Sequence, residues 1–188
     1  FGGKISSCLV NPRACYETEL TLPSAKAAKT IAVVGAGPAG LSSAMAAAER
    51  GHTVTIFDKS HEIGGQLNMA KKVPGKEEFV GLVEWYGTML VAMGIKTELG
   101  RVVVADDLTD FDEVIIATGV TPRDPQIPGQ DGANVLSYID VLRGKADVGQ
   151  RVAIIGAGGI GFDVAEYLVT GDSPTEDLDA WLEEWGVG

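Results

Sequence analysis

Cysteine is scarce in this 188-residue chain: there are two, Cys8 and Cys15. Without a CxxC pair or a histidine beside them, they exclude a disulfide framework and a local zinc-type ligand set. A reducing, cytoplasmic compartment is therefore the expectation. Histidine is as scarce, and His52 and His61 read as surface residues on loops. No Ser-His-Asp set and no carboxylate pair can be assembled, so any redox chemistry must belong to a cofactor. Basic residues are outnumbered, 15 Lys and Arg against 26 Asp and Glu, for a formal charge of −11. That balance argues against a nucleic-acid or anionic-membrane partner. No apolar run approaches the roughly 18 residues of a membrane-spanning helix. Phe1-Gly2-Gly3-Lys4 lacks both Met and the apolar core of a signal peptide, and reads as a cut edge.

Glycine, in contrast, is plentiful at 25 residues with no collagen-like period. Much of it sits in motifs. The run Thr30-Ile31-Ala32-Val33-Val34 has the β-branched character of a buried parallel strand, and Gly35-Ala36-Gly37-Pro38-Ala39-Gly40 follows at once. Gly35 permits a tight turn, Gly37 lets a pyrophosphate approach the backbone, and Gly40 lets the next helix pack on the strand. The free N–H groups of that helix then face a phosphate pair. A second strand-like run, Thr53 to Phe57, ends at Asp58, an acceptor for a ribose diol. Its carboxylate would repel a 2′-phosphate, so this site prefers FAD, NAD or ADP over NADP. Gly64-Gly65-Gln66 follows closely and is either a second backbone approach to the pyrophosphate or a simple turn. Thr118-Gly119, after the strand Val114 to Ala117, could bring backbone to the same cofactor. Pro38, Lys59, Leu67 and Ala117 flank these positions and count to the same cofactor-binding surface.

Between the motifs the pattern alternates. Leu41, Ala44, Met45 and Ala48 mark a helix closed by Gly51, and Phe79 to Met93 a longer one closed by Gly94. Short strands are expected at 96–99 and 101–104, a buried strand over 112–117, and a short helix over 135–142. Then the opening motif returns as Arg151-Val152-Ala153-Ile154-Ile155-Gly156-Ala157-Gly158-Gly159-Ile160-Gly161. Gly156, Gly158 and Gly161 should form a second pyrophosphate cradle, with a helix through Leu168. No second strand or ribose-reading residue follows, and 178–185 reads as a short helix. The expected fold is α/β: a Rossmann-like dinucleotide-binding domain with a parallel central sheet, incomplete, over 30–149. A linker or arm covers 1–29, and 150–188 begins a second such unit.

Ser7-Cys8-Leu9-Val10-Asn11-Pro12-Arg13-Ala14-Cys15, the GAGPAG unit, Ile63-Gly64-Gly65-Gln66-Leu67-Asn68 and Val73-Pro74-Gly75-Lys76-Glu77-Glu78-Phe79 together carry a resemblance. The chain closely resembles bacterial NADPH-dependent 2,4-dienoyl-CoA reductases, relatives of trimethylamine dehydrogenase and other iron–sulfur flavoproteins with an old-yellow-enzyme-like barrel. The most specific strings are GGQLNMAKKVPGKEEF and AIIGAGGIGFDVAEYL. The resemblance implies a parent of three parts, acting in fatty acid β-oxidation: an FMN-containing barrel with the substrate site, a [4Fe–4S] cluster, and an FAD/NADPH module. Electrons would pass from NADPH to FAD, the cluster, FMN and the dienoyl-CoA. The chain would be the first part of the FAD module and the opening of the NADPH domain, with the barrel of the same parent as its partner. Ala39, Asp58, Gln66, Lys76 and Val103 fall on the family's FAD-contacting positions. Cys8 falls on the last of its four cluster cysteines, with the other three not in this sequence. Two alternatives keep the same residues: a structural ADP-binding module, as in trimethylamine dehydrogenase-like proteins, and an electron-delivery subunit of the glutamate synthase type.

Overall fold

The computed structural model describes residues 6–8, 10–171 and 173–187; the Phe1–Lys4 edge, and residues 1–5 and 9 of the expected arm, lie outside them. The chain divides into two compact units, one from 1–65 with 81–120, the other from 66–80 with 121–188.

The first unit is built on a parallel sheet. Strand β1 is Thr30–Val34, β2 is Thr53–Asp58, β3 is Lys96–Leu99 and β4 is Glu113–Ile116, in the order β3-β2-β1-β4. The register pairs Val34 with Phe57, Val34 with Ile116 and Asp58 with Leu99, so all four strands finish at one edge. The chain adds strands to one side of β1 and then crosses to the other. That reversal, at the carboxyl ends, is where an open α/β sheet leaves a crevice for ligands. Ala32, Val33 and Ile56 are fully buried in the sheet; each large apolar side chain so placed contributes about 1.5–3 kcal/mol.

Helix α1, Pro38–Glu49, starts with Pro38 at its first turn, where the missing N–H costs nothing. It turns the small residues Gly40, Ala44 and Ala47, with Leu41, onto the sheet. Arg50 caps it, and Gly51, at φ +91°, takes the left-handed turn that ends it. A longer helix, Glu78–Ala92, stops at Gly94 (φ +66°). Within the first unit its Leu82, Tyr86 and Leu90 are buried, and the Tyr86 hydroxyl lies 2.6 Å from Ser42 Oγ. The arm is stitched to the end of α1 by Ala25 N–H to Arg50 O (2.8 Å) and by Arg50 Nε to Pro23 O (3.2 Å).

The second unit has a core of Met69, Val73, Val141, Leu142 and Val164. Its helices are Leu67–Ala70, Tyr138–Leu142, Gly159–Val169 (α5 in chain order) and Leu178–Trp185.

The expected α/β class with a parallel central sheet is present. Four local expectations are corrected. The strand expected to be buried over 112–117 is the edge strand β4, whose Ile116 is 68% exposed. Residues 101–104 form no strand: Gly100, at φ +72°, turns the chain, and Arg101 N–H bonds Asp58 O at 2.9 Å instead of a ladder. The helix expected from 135 starts at Tyr138, because Ser137 Oγ accepts the Asp140 N–H and sets the cap there. Residues 151–157 belong to no strand, although the sequence is as apolar as β1; Ile155 is 80% exposed. A parallel strand needs neighbours to hydrogen-bond, and the described part of this unit holds none.

Candidate functional site: a glycine cradle at the carboxyl edge of the sheet

The turn after β1 is braced on every side but one. Gly35, at φ +115°, donates its N–H to Phe57 O at 2.7 Å, and a Cβ there would fall 2.2 Å from Ala117 O. Ala36 is fully buried. Its N–H bonds Asp58 Oδ2 at 2.6 Å, and its carbonyl accepts the Gly64 N–H at 2.8 Å. At Gly40 a Cβ would stand 1.9 Å from Gly35 O, so only glycine lets α1 begin so close to the strand. Gly65, at φ +55°, lies against the turn, where a Cβ would come 2.9 Å from Gly37 Cα.

Gly37 is the open side. It caps α1 with extended backbone (φ −79°, ψ 178°), and a Cβ built on it meets nothing within 4 Å. Above it the first-turn N–H groups of α1 have no intrahelical partner. Pro38 contributes none, which leaves those of Ala39 and Gly40. No acidic residue occupies that first turn, so no side chain of α1 itself offsets the positive end of the helix dipole. The arrangement suits an anion lying on bare backbone.

Asp58 borders this cradle, half-buried at the end of β2. Its Oδ2 accepts from Ala36 N–H, and its Oδ1 accepts from Ser60 N–H at 2.7 Å. A carboxylate has about four acceptor positions, so both oxygens keep capacity for a diol. Lys59 beside it is exposed, and Val103 is half-buried in the turn after β3. Thr118 and Gly119 (φ +78°) are exposed just past β4, with Ala117 tied to the cradle by its N–H to Val34 O at 2.8 Å. The structure thus brings together Gly35, Gly37, Pro38, Ala39, Gly40, Asp58, Gly65 and Ala117.

The other proposed residues belong to the second unit. Gln66 is exposed and Leu67 half-buried at the start of a short helix. Lys76 Nζ is paired with Asp163 Oδ2 at 2.6 Å, both side chains about one-third exposed. The second glycine motif repeats the first turn closely. Gly156 has φ +119°, Gly158 caps α5 in extended conformation, and a Cβ at Gly161 would lie 2.1 Å from Gly156 O. Cys8 is exposed and free, as is Cys15.

Sequence reading missed three features. One is the clamp on Ala36 from Asp58 and Gly64. Another is Asp163 as the partner of Lys76, which no local signal marks because the two are far apart in sequence. The third is a network around Glu77, whose Oε1 accepts Gly75 N–H at 2.9 Å and whose Oε2 accepts the Thr175 hydroxyl at 2.8 Å. Burial pushes the Glu77 carboxyl up, but the Ser173 and Thr175 hydroxyls and the backbone N–H groups outweigh it and hold it at about 2.

The sequence profile of the family described as pyridine nucleotide-disulphide oxidoreductase matches residues 29–173. The chain is 37% identical over 183 residues to a metal reductase of Desulforamulus reducens, covering 94% of this chain and 27% of that protein. It is 38% identical over 169 residues to a cinnamate reductase of Clostridium sporogenes, covering 86% and 24%. A solved complex of 2-naphthoyl-CoA reductase with 2-naphthoyl-CoA superposes with a TM-score of 0.82 at 37% identity, covering 86% of this chain and 25% of that one. The chain thus spans about a quarter of the length of the relatives it matches.

Proposed function

We propose, for a chain that belongs to the pyridine nucleotide-disulphide oxidoreductase family, that it is the FAD-binding part of an NADPH-dependent flavin reductase. The parent would act on conjugated acyl compounds of the 2,4-dienoyl-CoA kind. The observation that carries the cofactor reading is the open face of Gly37, set between helix N–H groups, Gly65 and the carboxylate of Asp58. Those residues fit an adenine dinucleotide. Gly37 admits a pyrophosphate onto the backbone, the α1 N-terminus holds it, and Asp58 takes the ribose hydroxyls with its spare lone pairs. The same charge excludes a 2′-phosphate, which favours FAD, NAD or ADP in this cradle. FAD, when bound, supplies the capacity to accept hydride and release single electrons. The chain's own part is to bind, orient and shield.

The second cradle, at Gly156, Gly158 and Gly161, supports a place for the nicotinamide nucleotide. The substrate class is supported by relatives named for cinnamate and for 2-naphthoyl-CoA, both conjugated carboxyl compounds. A [4Fe–4S] cluster does not fit the described residues: Cys8 and Cys15 are both exposed and free. Among the described residues no group of three or more His, Cys, Asp or Glu could hold a metal.

Calorimetric titration with FAD, ADP and NADP tests the reading. FAD and ADP should bind and NADP should bind more weakly. NADP displacing FAD from the first cradle as readily as ADP does would remove the role given to Asp58. Binding of ADP without any gain from the flavin half would move the assignment to a structural nucleotide module.

A further inference from the structure

The dinucleotide reading leaves one end of its ligand unassigned: the base. In a nucleoside diphosphate the phosphate arm leaves the ribose at C4′ and the base at C1′, at opposite ends of the ring. With the pyrophosphate at Gly37 and the ribose at Asp58, the base must project away from the glycine turn. The surface there is made by residues 59–61, after β2, and 100–104, after β3.

That surface is built rather than loose. The two loops are laced by Gly100 N–H to Ser60 O at 2.8 Å and Arg101 N–H to Asp58 O at 2.9 Å, while Ser60 N–H is held by Asp58 Oδ1 at 2.7 Å. The lacing sets His61 over Gly100. A Cβ on Gly100 would fall 2.4 Å from His61 Cε1 and 2.5 Å from Nδ1, so the imidazole occupies the space a side chain at 100 would need. Gly100 also has φ +72°, so glycine is demanded there on two grounds. Arg101, the cation of the second loop, is turned elsewhere. Its guanidinium lies 5.3 Å from the Phe57 ring centroid, bonds Asp107 at 2.8 Å and pairs with Glu98. What remains is an exposed imidazole lying on Gly100, in a loop that continues through the aliphatic Val102, Val103 and Val104.

We propose that His61 is a specificity-determining residue for the base, giving adenine an aromatic face to stack on beside the ribose held by Asp58. The inference rests on the dinucleotide reading. Its physical ground is that a flat imidazole stacks on a purine, whereas phosphate and ribose gain nothing from it.

The test compares wild-type chain with His61→Ala and His61→Phe, each checked for native circular dichroism, in titrations with ADP and with inorganic pyrophosphate. His61→Ala should lower ADP affinity roughly tenfold and leave pyrophosphate affinity unchanged, and His61→Phe should restore most of the loss. With two histidines in the chain, the His61 ring proton is readily assigned by NMR. It should move upfield on adding ADP and stay in place on adding pyrophosphate. His61→Ala binding ADP as the wild type does, or losing both ligands equally, would overturn the role of His61 and leave the dinucleotide reading standing. A wild-type chain that binds neither ligand would overturn both.

Discussion

Two glycines three residues apart, Gly37 and Gly40, should respond to alanine in opposite ways. At Gly40 the added methyl would sit 1.9 Å from Gly35 O and 3.3 Å from Val33 Cγ1. The first distance is about 1.5 Å short of an ordinary contact. Its neighbour is backbone, so α1 as a whole must lift from β1 or the Gly35 turn must open. Overpacking of this kind costs about 1–3 kcal/mol, more where the backbone cannot shift. At Gly37 the methyl meets nothing within 4 Å and the backbone, at φ −79°, already suits alanine. Gly37→Ala should therefore hold or raise stability, by about 0.4–1 kcal/mol through the unfolded chain. The same methyl occupies the space a pyrophosphate would use, so ADP affinity should fall tenfold or more. Urea unfolding and ADP titration of both variants decide the matter. If Gly37→Ala unfolds as easily as Gly40→Ala, or binds ADP as the wild type does, the division between a packing glycine and a ligand glycine is wrong.

Other perturbations follow from the same contacts. Asp58→Ala orphans the buried Ala36 N–H, and should cost about 1–3 kcal/mol in urea unfolding as well as the ribose contact; equal stability would show the clamp to be idle. Glu77 has a folded pKa of about 2 against an ordinary 4.5. Its contribution to stability is therefore complete above about 4.5 and is lost as pH falls toward 2. The stability gap between wild type and Glu77→Gln should narrow between pH 5 and pH 3 on the order of that window; a gap constant over the range would contradict it. Asp163→Asn breaks the pair with Lys76, one-third exposed on both sides, and should change unfolding by less than about 1 kcal/mol; a larger loss would mean that the pair organises more of the second unit than its exposure implies.

The first unit was legible in the sequence because its signals are local. β-branched runs gave β1 and β2, and Gly35, Gly37 and Gly40 take the conformations their spacing demands. The place of Asp58 at the end of β2 was also legible, though not its bond to Ala36, which depends on how two loops meet. Legibility fails where pairing is non-local. Arg101 to Val104 has strand composition, but Gly100 turns the chain and no partner strand is offered. Val152 to Ile155 reads as apolar as β1 yet forms no ladder, since propensity without a neighbour makes no sheet. Lys76 illustrates the same limit for a site: resemblance marks it as a cofactor contact, while the fold hands its ammonium to Asp163.

On the proposed reading, the cradle of Gly35, Gly37, Gly40, Asp58 and Gly65 holds FAD. Its most direct test is the visible spectrum of the purified chain, before and after addition of FAD and gel filtration, with mass spectrometry of whatever nucleotide acid releases. A cradle that holds FAD gives a retained flavin spectrum and released FAD. A chain that emerges colourless and free of nucleotide after incubation with excess FAD would contradict it.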